Sequence, residues 1–473
     1  MRTWLMRIWL LRGVLVAAVL AAWPASAAAL VDGGDDAEGD DAVEEKGVAE
    51  NGGADGGGDP IAALEAERVR EVMHAVELLR QNDDYAGAVA MYRKGLALRP
   101  KDVELLEQFT NLGDWLAARC VAKKLDAGLV TGFLDDYEAW LGDNNAYPSR
   151  FWWLRAILLR RDGKTAEADK LVEQALAHKA EDASYHWAVA LYLVGNDFSE
   201  EAIQEYEHGL PHADGDWQRG NYTLGLAVAY MNLERYEQGV EFYEKTFELL
   251  GPPAPNNTLN YIYNEAAGAC QSLGRYYELR GEHQKTIEAN ERALKFQPAE
   301  LDDVMRPGFA GTQHAIGEAY LKLNEPEKAL EHFQRAIDML PEAPGFLSTL
   351  GDAYAALDDD AKPREAYDKC VSLYRDWITK RPTSSSPYNG LAWHYATHDE
   401  NLDEALELSK KSLELAPDTP EYLDTLAEIY FRMGKHAEAI EWIKKALALD
   451  PKPKHYVYYE QQLAKFERAK AGE

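Results

Sequence analysis

Apolar positions recur three and four residues apart along most of this chain, and Gly or Pro interrupts them at regular intervals. The stretch YLDTLAEIYFRMGKHAEAIEWIKKALALDP, residues 422–451, shows the pattern most plainly. Leu426, Ala427 and Tyr430 fall on one face of a predicted helix, Gly434 breaks it, and Ala439, Ile443 and Ala446 share a face of the next. Pro451 closes the unit, because proline cannot continue a helix. The same offsets return in Ile316, Gly317, Tyr320, Ala329, Phe333, Ala336 and Pro341. They return again in Ala405, Ser409, Ser412 and Pro417, and in Ala88, Tyr92, Gly95 and Pro100. Thr286, Asn290, Ala293 and Pro298 keep the register with polar substitutes. No alternating strand pattern appears, so the predicted class is all-α.

Small residues at the first and third sites of the second helix let the first helix approach, and a large residue between them fills the groove. One such hairpin cannot bury its own apolar face, but stacked neighbours can. The first small sites fall at Ala168, Ala202, Gly239, Thr286, Ala329, Ala366, Ala405 and Ala439, spaced 34, 37, 47, 43, 37, 39 and 34 residues apart. The longer spacings predict stretched loops, such as those at 251–258 and 357–363. Ala88 marks a ninth recognisable unit. Residues 101–146 hold two or three helices outside the signature, a degenerate repeat or an insertion. After the last unit, Tyr459, Leu463 and Phe466 form a stripe with Glu460, Lys465 and Glu467 off it, which predicts a capping helix over 452–473.

These signature positions resemble the tetratricopeptide repeat, a helix-turn-helix unit. The resemblance covers roughly residues 65–451. It implies a right-handed α-solenoid of about ten repeats over 61–473.

The first thirty residues stand apart. Arg2, Arg7 and Arg12 precede an apolar run, and Pro24-Ala25-Ser26-Ala27 follows it. That is the form of a signal peptide, 1–27, cleaved after Ala27. The alternative is an uncleaved N-terminal anchor, since no acid precedes Asp32. Either places the rest outside the cytoplasm, periplasmic or extracellular, with no membrane insertion after cleavage. Residues 28–60 read as a disordered acidic linker: positions 31–60 hold nine Gly, eleven acids, one Lys and no aromatic residue. The whole chain carries a formal charge of −31, of which residues 61–473 keep −24. Such a surface repels nucleic acid and favours basic or neutral partners. Three cysteines, an odd number, with Cys270 and Cys370 in helical apolar stripes, read as buried free thiols.

Chemistry is sparse. His394 and His398 stand at i, i+4, a metal-ligand spacing, but Tyr395 replaces the Glu that a zinc protease needs. His208 and His212 share that spacing across Pro211. No phosphate-binding loop or nucleophile elbow occurs, and no cofactor is implied. The sequons at Asn221 and Asn256 are glycosylation acceptors only in a secreted eukaryotic context, and Asn221 falls in a helix. Trp152 and Trp153 read as core. The resemblance implies a concave face lined by first helices, with their fifth and ninth positions facing a ligand. Those positions are His314 and Glu318, Ser348 and Asp352, Asn389 and Trp393, Asp424 and Glu428; four are acidic and none is Lys or Arg. Some repeats of this family clamp a terminal carboxylate with Lys and Asn, and only Asn389 fits that role here. The expectation is a non-enzymatic interaction scaffold. The alternatives are an accessory subunit of an envelope enzyme or secretion machine, and a metal-dependent activity at His394/His398.

Overall fold

The computed structural model describes residues 60–98, 102–142, 145–251, 260–298, 301, 303–359, 361–449 and 453–472. The expected signal peptide, nearly all of the acidic linker, the Asn256 sequon, Pro100 and Pro451 lie outside them. The described residues form helices joined by short turns, in two compact units, one ending at Ala213 and the other beginning at Asp214. No described helix is long and apolar enough to cross a membrane.

The first unit stacks four hairpins: α1 (Pro60–Gln81) with α2 (Tyr85–Gly95), α3 (Val103–Ala122) with α4 (Ala127–Leu141), α5 (Ser149–Arg161) with α6 (Thr165–Ala177), and α7 (Ala183–Gly195) with α8 (Ser199–Gly209). The second begins with α9 (Gly215–Asn232) and α10 (Tyr236–Leu250), α11 (Asn260–Glu278) and α12 (His283–Lys295), then α13 (Arg306–Lys322) and α14 (Pro326–Met339). It continues with α15 (Pro344–Ala355) and α16 (Lys362–Lys380), α17 (Ser385–Thr397) and α18 (Leu402–Leu415), α19 (Pro420–Arg432) and α20 (His436–Leu449), and closes with α21 (Pro453–Ala471). Ten hairpins and a terminal helix are thus present among the described residues.

The small-residue seam is where the pattern places it. Ala88, Ala168, Ala202, Ala329, Ala405 and Ala439 are fully buried, and Gly239, Thr286 and Ala366 are buried as well. The large residue between the small ones reaches the facing first helix. A Cβ added at Gly317 would lie 2.6 Å from the ring of Phe333, the large residue between Ala329 and Ala336, so only hydrogen fits there. The turn inside each hairpin carries a residue in the left-handed region: Asp83, Lys124, Gly163, Asp197, Glu234, Gly281, Asn324, Asp358, Asp399 and Gly434. That conformation reverses the chain within three or four residues.

One expectation changes. The longer repeat spacings are absorbed partly by longer helices rather than loops, since α9, α11, α13 and α16 run 18, 19, 17 and 19 residues. The described residues 102–142 form the hairpin α3–α4, one form of the degenerate repeat expected there, with aromatics where other hairpins put small residues. Tyr92 stacks on Phe109 at 4.4 Å and meets Tyr137 edge-on at 5.7 Å, and Tyr137 packs against Trp140. Large rings hold the helices apart, and the signature is lost with the close approach that produces it.

The terminal helix does cap. Tyr459 is 2% exposed and Phe466 fully buried, in one core with Leu423, Ala427, Ile443 and Ala446.

Candidate functional site

The eight positions singled out in sequence all lie on first helices of the second unit: α13, α15, α17 and α19. Most hold the next hairpin instead of facing open solvent. His314 Nε2 lies 2.8 Å from Thr349 Oγ1, and its ring stacks on Phe346 at 4.6 Å. Ser348 Oγ lies 2.8 Å from His394 Nδ1. Asp352 Oδ1 accepts from the Tyr367 hydroxyl at 2.7 Å and faces His398 Nε2 at 2.8 Å. A ladder of side-chain bonds therefore runs from α13 to α15 to α17.

Electrostatics follow from this packing. Burial pushes the His314 imidazole down to about 4. Glu318 keeps 43% of its side chain accessible, yet protein surrounds the carboxyl closely enough that desolvation, then repulsion from Glu278, raises it to about 7. His394 is 2% exposed and falls to about 4 through burial and the charge of His398. His398 is itself depressed by burial, but its bonds to Asp352 and the His394 carbonyl outweigh this and raise it.

Asp424 and Glu428 depart from expectation. They are 5% and 2% exposed, covered by α21. Tyr458 donates to Asp424 Oδ2 at 3.1 Å, while Glu428 pairs with Lys465 at 2.7 Å and Arg432 at 2.8 Å. The cations absent from the eight predicted positions arrive from the cap and from the end of α19. Desolvation raises Asp424 to about 7, and its Oδ1 has no hydrogen-bond partner among the described residues.

The remaining pair is different. Asn389 and Trp393, one turn apart on α17, are half-buried. The Asn389 Oδ1 is buried without a hydrogen-bond partner among the described residues. The partly open indole of Trp393 is the accessible member of the pair, and Oδ1, itself closed off from solvent, would meet a donor from another molecule only if the half-buried Asn389 side chain turned outward.

In the histidine pair both ring nitrogens of His398 are engaged, while His394 Nε2 is buried without a hydrogen-bond partner among the described residues. The rings of His394 and His398 lie 4.5 Å apart, but His398 faces Asp352 with Nε2 and the His394 carbonyl, at 2.7 Å, with Nδ1. Among the described residues no group of three or more His, Cys, Asp or Glu is placed to hold a metal ion. His208 and His212 sit on α8 and on the following 3-10 turn, Leu210–His212, with rings 6.2 Å apart. Trp153 is core, as expected, and its indole donates to Glu205, which also bonds His186 at 2.6 Å. Sequence reading missed this fully buried pair: His186 lies in an apolar stripe, and its partner stands 19 residues away.

Residues 394–452, 310–343 and 224–249 each match a family model described as tetratricopeptide repeat. The chain carries tetratricopeptide repeats in these three stretches. Among its curated relatives are the anaphase-promoting complex subunit CDC16 of Saccharomyces cerevisiae, 24% identical over 48% of this chain and 24% of that protein, and the BBSome complex member BBS4 of Bos taurus, 20% identical over 63% and 51%. This repeat protein thus spans about a quarter and about half of those relatives. A solved thermophilic repeat protein of Thermus thermophilus is 27% identical with a TM-score of 0.31, over 42% of this chain and 99% of that one. Tetratricopeptide repeats are protein-interaction folds, so a protein partner is the ligand class to seek.

Proposed function

We propose that this repeat protein is a non-catalytic scaffold acting outside the cytoplasm, which holds a basic or neutral peptide segment against the first-helix face of its second unit. The observation that carries the reading is the unmatched Asn389 Oδ1 beside Trp393. Asn389, turned outward, would accept a backbone N–H of the segment, and Trp393 would supply the apolar anchor. Glu318 and Asp352, 43% and 41% accessible, are the acids left open to the segment. Asp424 and Glu428 no longer belong to the contact surface.

Crosslinking and capture from the envelope fraction tests this. Wild type should retain a partner that Asn389→Ala with Trp393→Ala releases faster, while Glu407→Ala, on an exposed second-helix face, retains it. Equal retention by all three would reject the site. Many diverse peptides would mark a chaperone-like scaffold. One stoichiometric protein would mark an accessory subunit, the reading that the complex-forming relatives CDC16 and BBS4 favour. N-terminal sequencing should find a start near Ala28, and full-length chain in the cytosol would refute export.

A further inference from the structure

The first unit carries a patch of the opposite sign. A cavity of about 480 Å³ opens beside the turns of its second, third and fourth hairpins, and Arg119, Lys123, Lys124 and Arg161 line it. Its floor includes Val121, Leu158 and Phe198, 4%, 3% and 8% exposed. Asp197 is the one acid in the lining.

Three of the four cations have partners, and Arg119 and Lys123 also lie over the Trp115 and Tyr85 rings at 5.8 and 5.4 Å. Arg119 is 3.6 Å from Asp197 and Lys123 is 3.5 Å from Asp83. Arg161 donates to the Leu125 carbonyl at 2.9 Å, a helix-end contact. Lys124 is exposed and has no ion-pair partner among the described residues. Asp126, two residues on, directs its carboxylate to the Leu129 N–H at 2.9 Å, and Asp162 lies outside the lining. Helix-dipole stabilisation would account for cations after α3 and α5. It does not account for the turn. Of the eleven left-handed residues inside hairpins among the described residues, five are acidic, five are Gly or Asn, and Lys124 is the single cation; Lys179, also left-handed, stands between hairpins. The chain places a long cationic side chain where its other hairpins prefer Gly, Asn or an acid.

We propose that this pocket is a binding site for an acidic peptide segment, and that its occupant is the chain's own leader around Asp40-Asp41-Ala42-Val43-Glu44-Glu45. The four acids match the cationic rim, and Ala42 and Val43 match the apolar floor. The leader can reach. α1 is 22 residues long, about 33 Å, and its far end is tied to the pocket by the Asp83–Lys123 pair. From Val43 to Pro60 the extended chain spans up to roughly 55 Å. Tethering supplies an effective concentration on the order of millimolar, which compensates for individually weak exposed ion pairs. An acidic segment of another protein would then have to displace the leader first.

The test uses the full chain, a carbodiimide that joins touching carboxylates and amines, and mass spectrometry. Links from residues 31–59 to Lys123 or Lys124 should form within one chain, as judged by mixing isotopically light and heavy protein. Their yield should fall about five-fold in 1 M salt, where the screening length drops to about 3 Å. The exposed Lys410–Glu407 pair, 3.0 Å apart, serves as the control link. A second measurement leaves the pocket untouched. Neutralising the leader by Asp40→Asn, Asp41→Asn, Glu44→Gln and Glu45→Gln should speed acetylation of Lys123 and Lys124 about three-fold relative to Lys410. Formation of the control link without leader links, links only between light and heavy chains, or unchanged acetylation would overturn the assignment.

Discussion

Replacing Asp424 by Asn isolates the effect of covering a carboxyl that sequence alone assigns to solvent. In the fold this carboxyl is 5% exposed, with one bond from Tyr458 at 3.1 Å and an unmatched Oδ1. Desolvation, with the charge of Glu428 also contributing, raises it from 3.8 to about 7. The folded chain therefore holds this proton at pH values where the unfolded chain has released it. Stability contributed here is present below pH 4 and falls as pH rises toward 7, by up to about 1.4 kcal/mol per pH unit, or about 4 kcal/mol in all. Asn keeps an acceptor for Tyr458 and cannot ionise. At pH 8 the Asn variant should accordingly be more stable than wild type by about 2–4 kcal/mol, and at pH 4 the two should be equal within about 1 kcal/mol. Hydrogen exchange, corrected for intrinsic rates, should show the gain in α19, α20 and α21 and leave α6 and α8 unchanged. Identical protection in the two proteins at pH 8 would mean that water reaches Asp424 and that α21 does not cover it, and the reasoning would fail.

Three further outcomes follow from the packing. Ala439→Leu or Ala446→Leu, at fully buried seam positions, should cost about 1–3 kcal/mol, with hydrogen exchange loosened in the C-terminal hairpins alone. Gly351→Ala drives a methyl to within 2.2 Å of the Tyr367 ring, so chemical denaturation should show a loss of about 1–3 kcal/mol despite alanine's better helix propensity. His314 and His394, both held neutral to about 4, make the α13–α17 region lose stability as pH falls from 6.5 toward 4, because the unfolded chain takes up protons first. Imidazole titration by NMR should find both rings uncharged at pH 5.5, and charged rings there would contradict the burial.

The fold was legible because its determinants are local. Ala88, Ala329 and Ala439 announce a seam through spacing alone, and each is buried where the spacing requires. The hairpin α3–α4 was illegible for the same reason: Phe133 and Tyr137 fill a wider gap with rings, which preserves packing and erases the small-residue signal. The site positions were harder. Register alone places Asp424 and Glu428 on a first-helix face, but whether that face is open depends on what packs over it. Their partners Tyr458 and Lys465 lie 34 and 37 residues downstream, on a helix with no repeat signature. The Asp352–His398 bond, 46 residues apart, is equally invisible to periodicity. Asn389 and Trp393, expected on the ligand-facing side of a first helix, are half-buried on α17.

The three thiols are also instruments. Cys120 on α3, Cys270 on α11 and Cys370 on α16 are fully buried, and desolvation pushes each up to about 12. At pH 7 about one in 10⁵ of each is thiolate even before access is considered. A maleimide or disulfide reagent therefore waits for its own hairpin to open, and the rate at which each cysteine is modified becomes a clock for that opening. Cys120 times the second hairpin, Cys270 the sixth and Cys370 the eighth, so the breathing of three separate stretches can be followed in the unaltered chain.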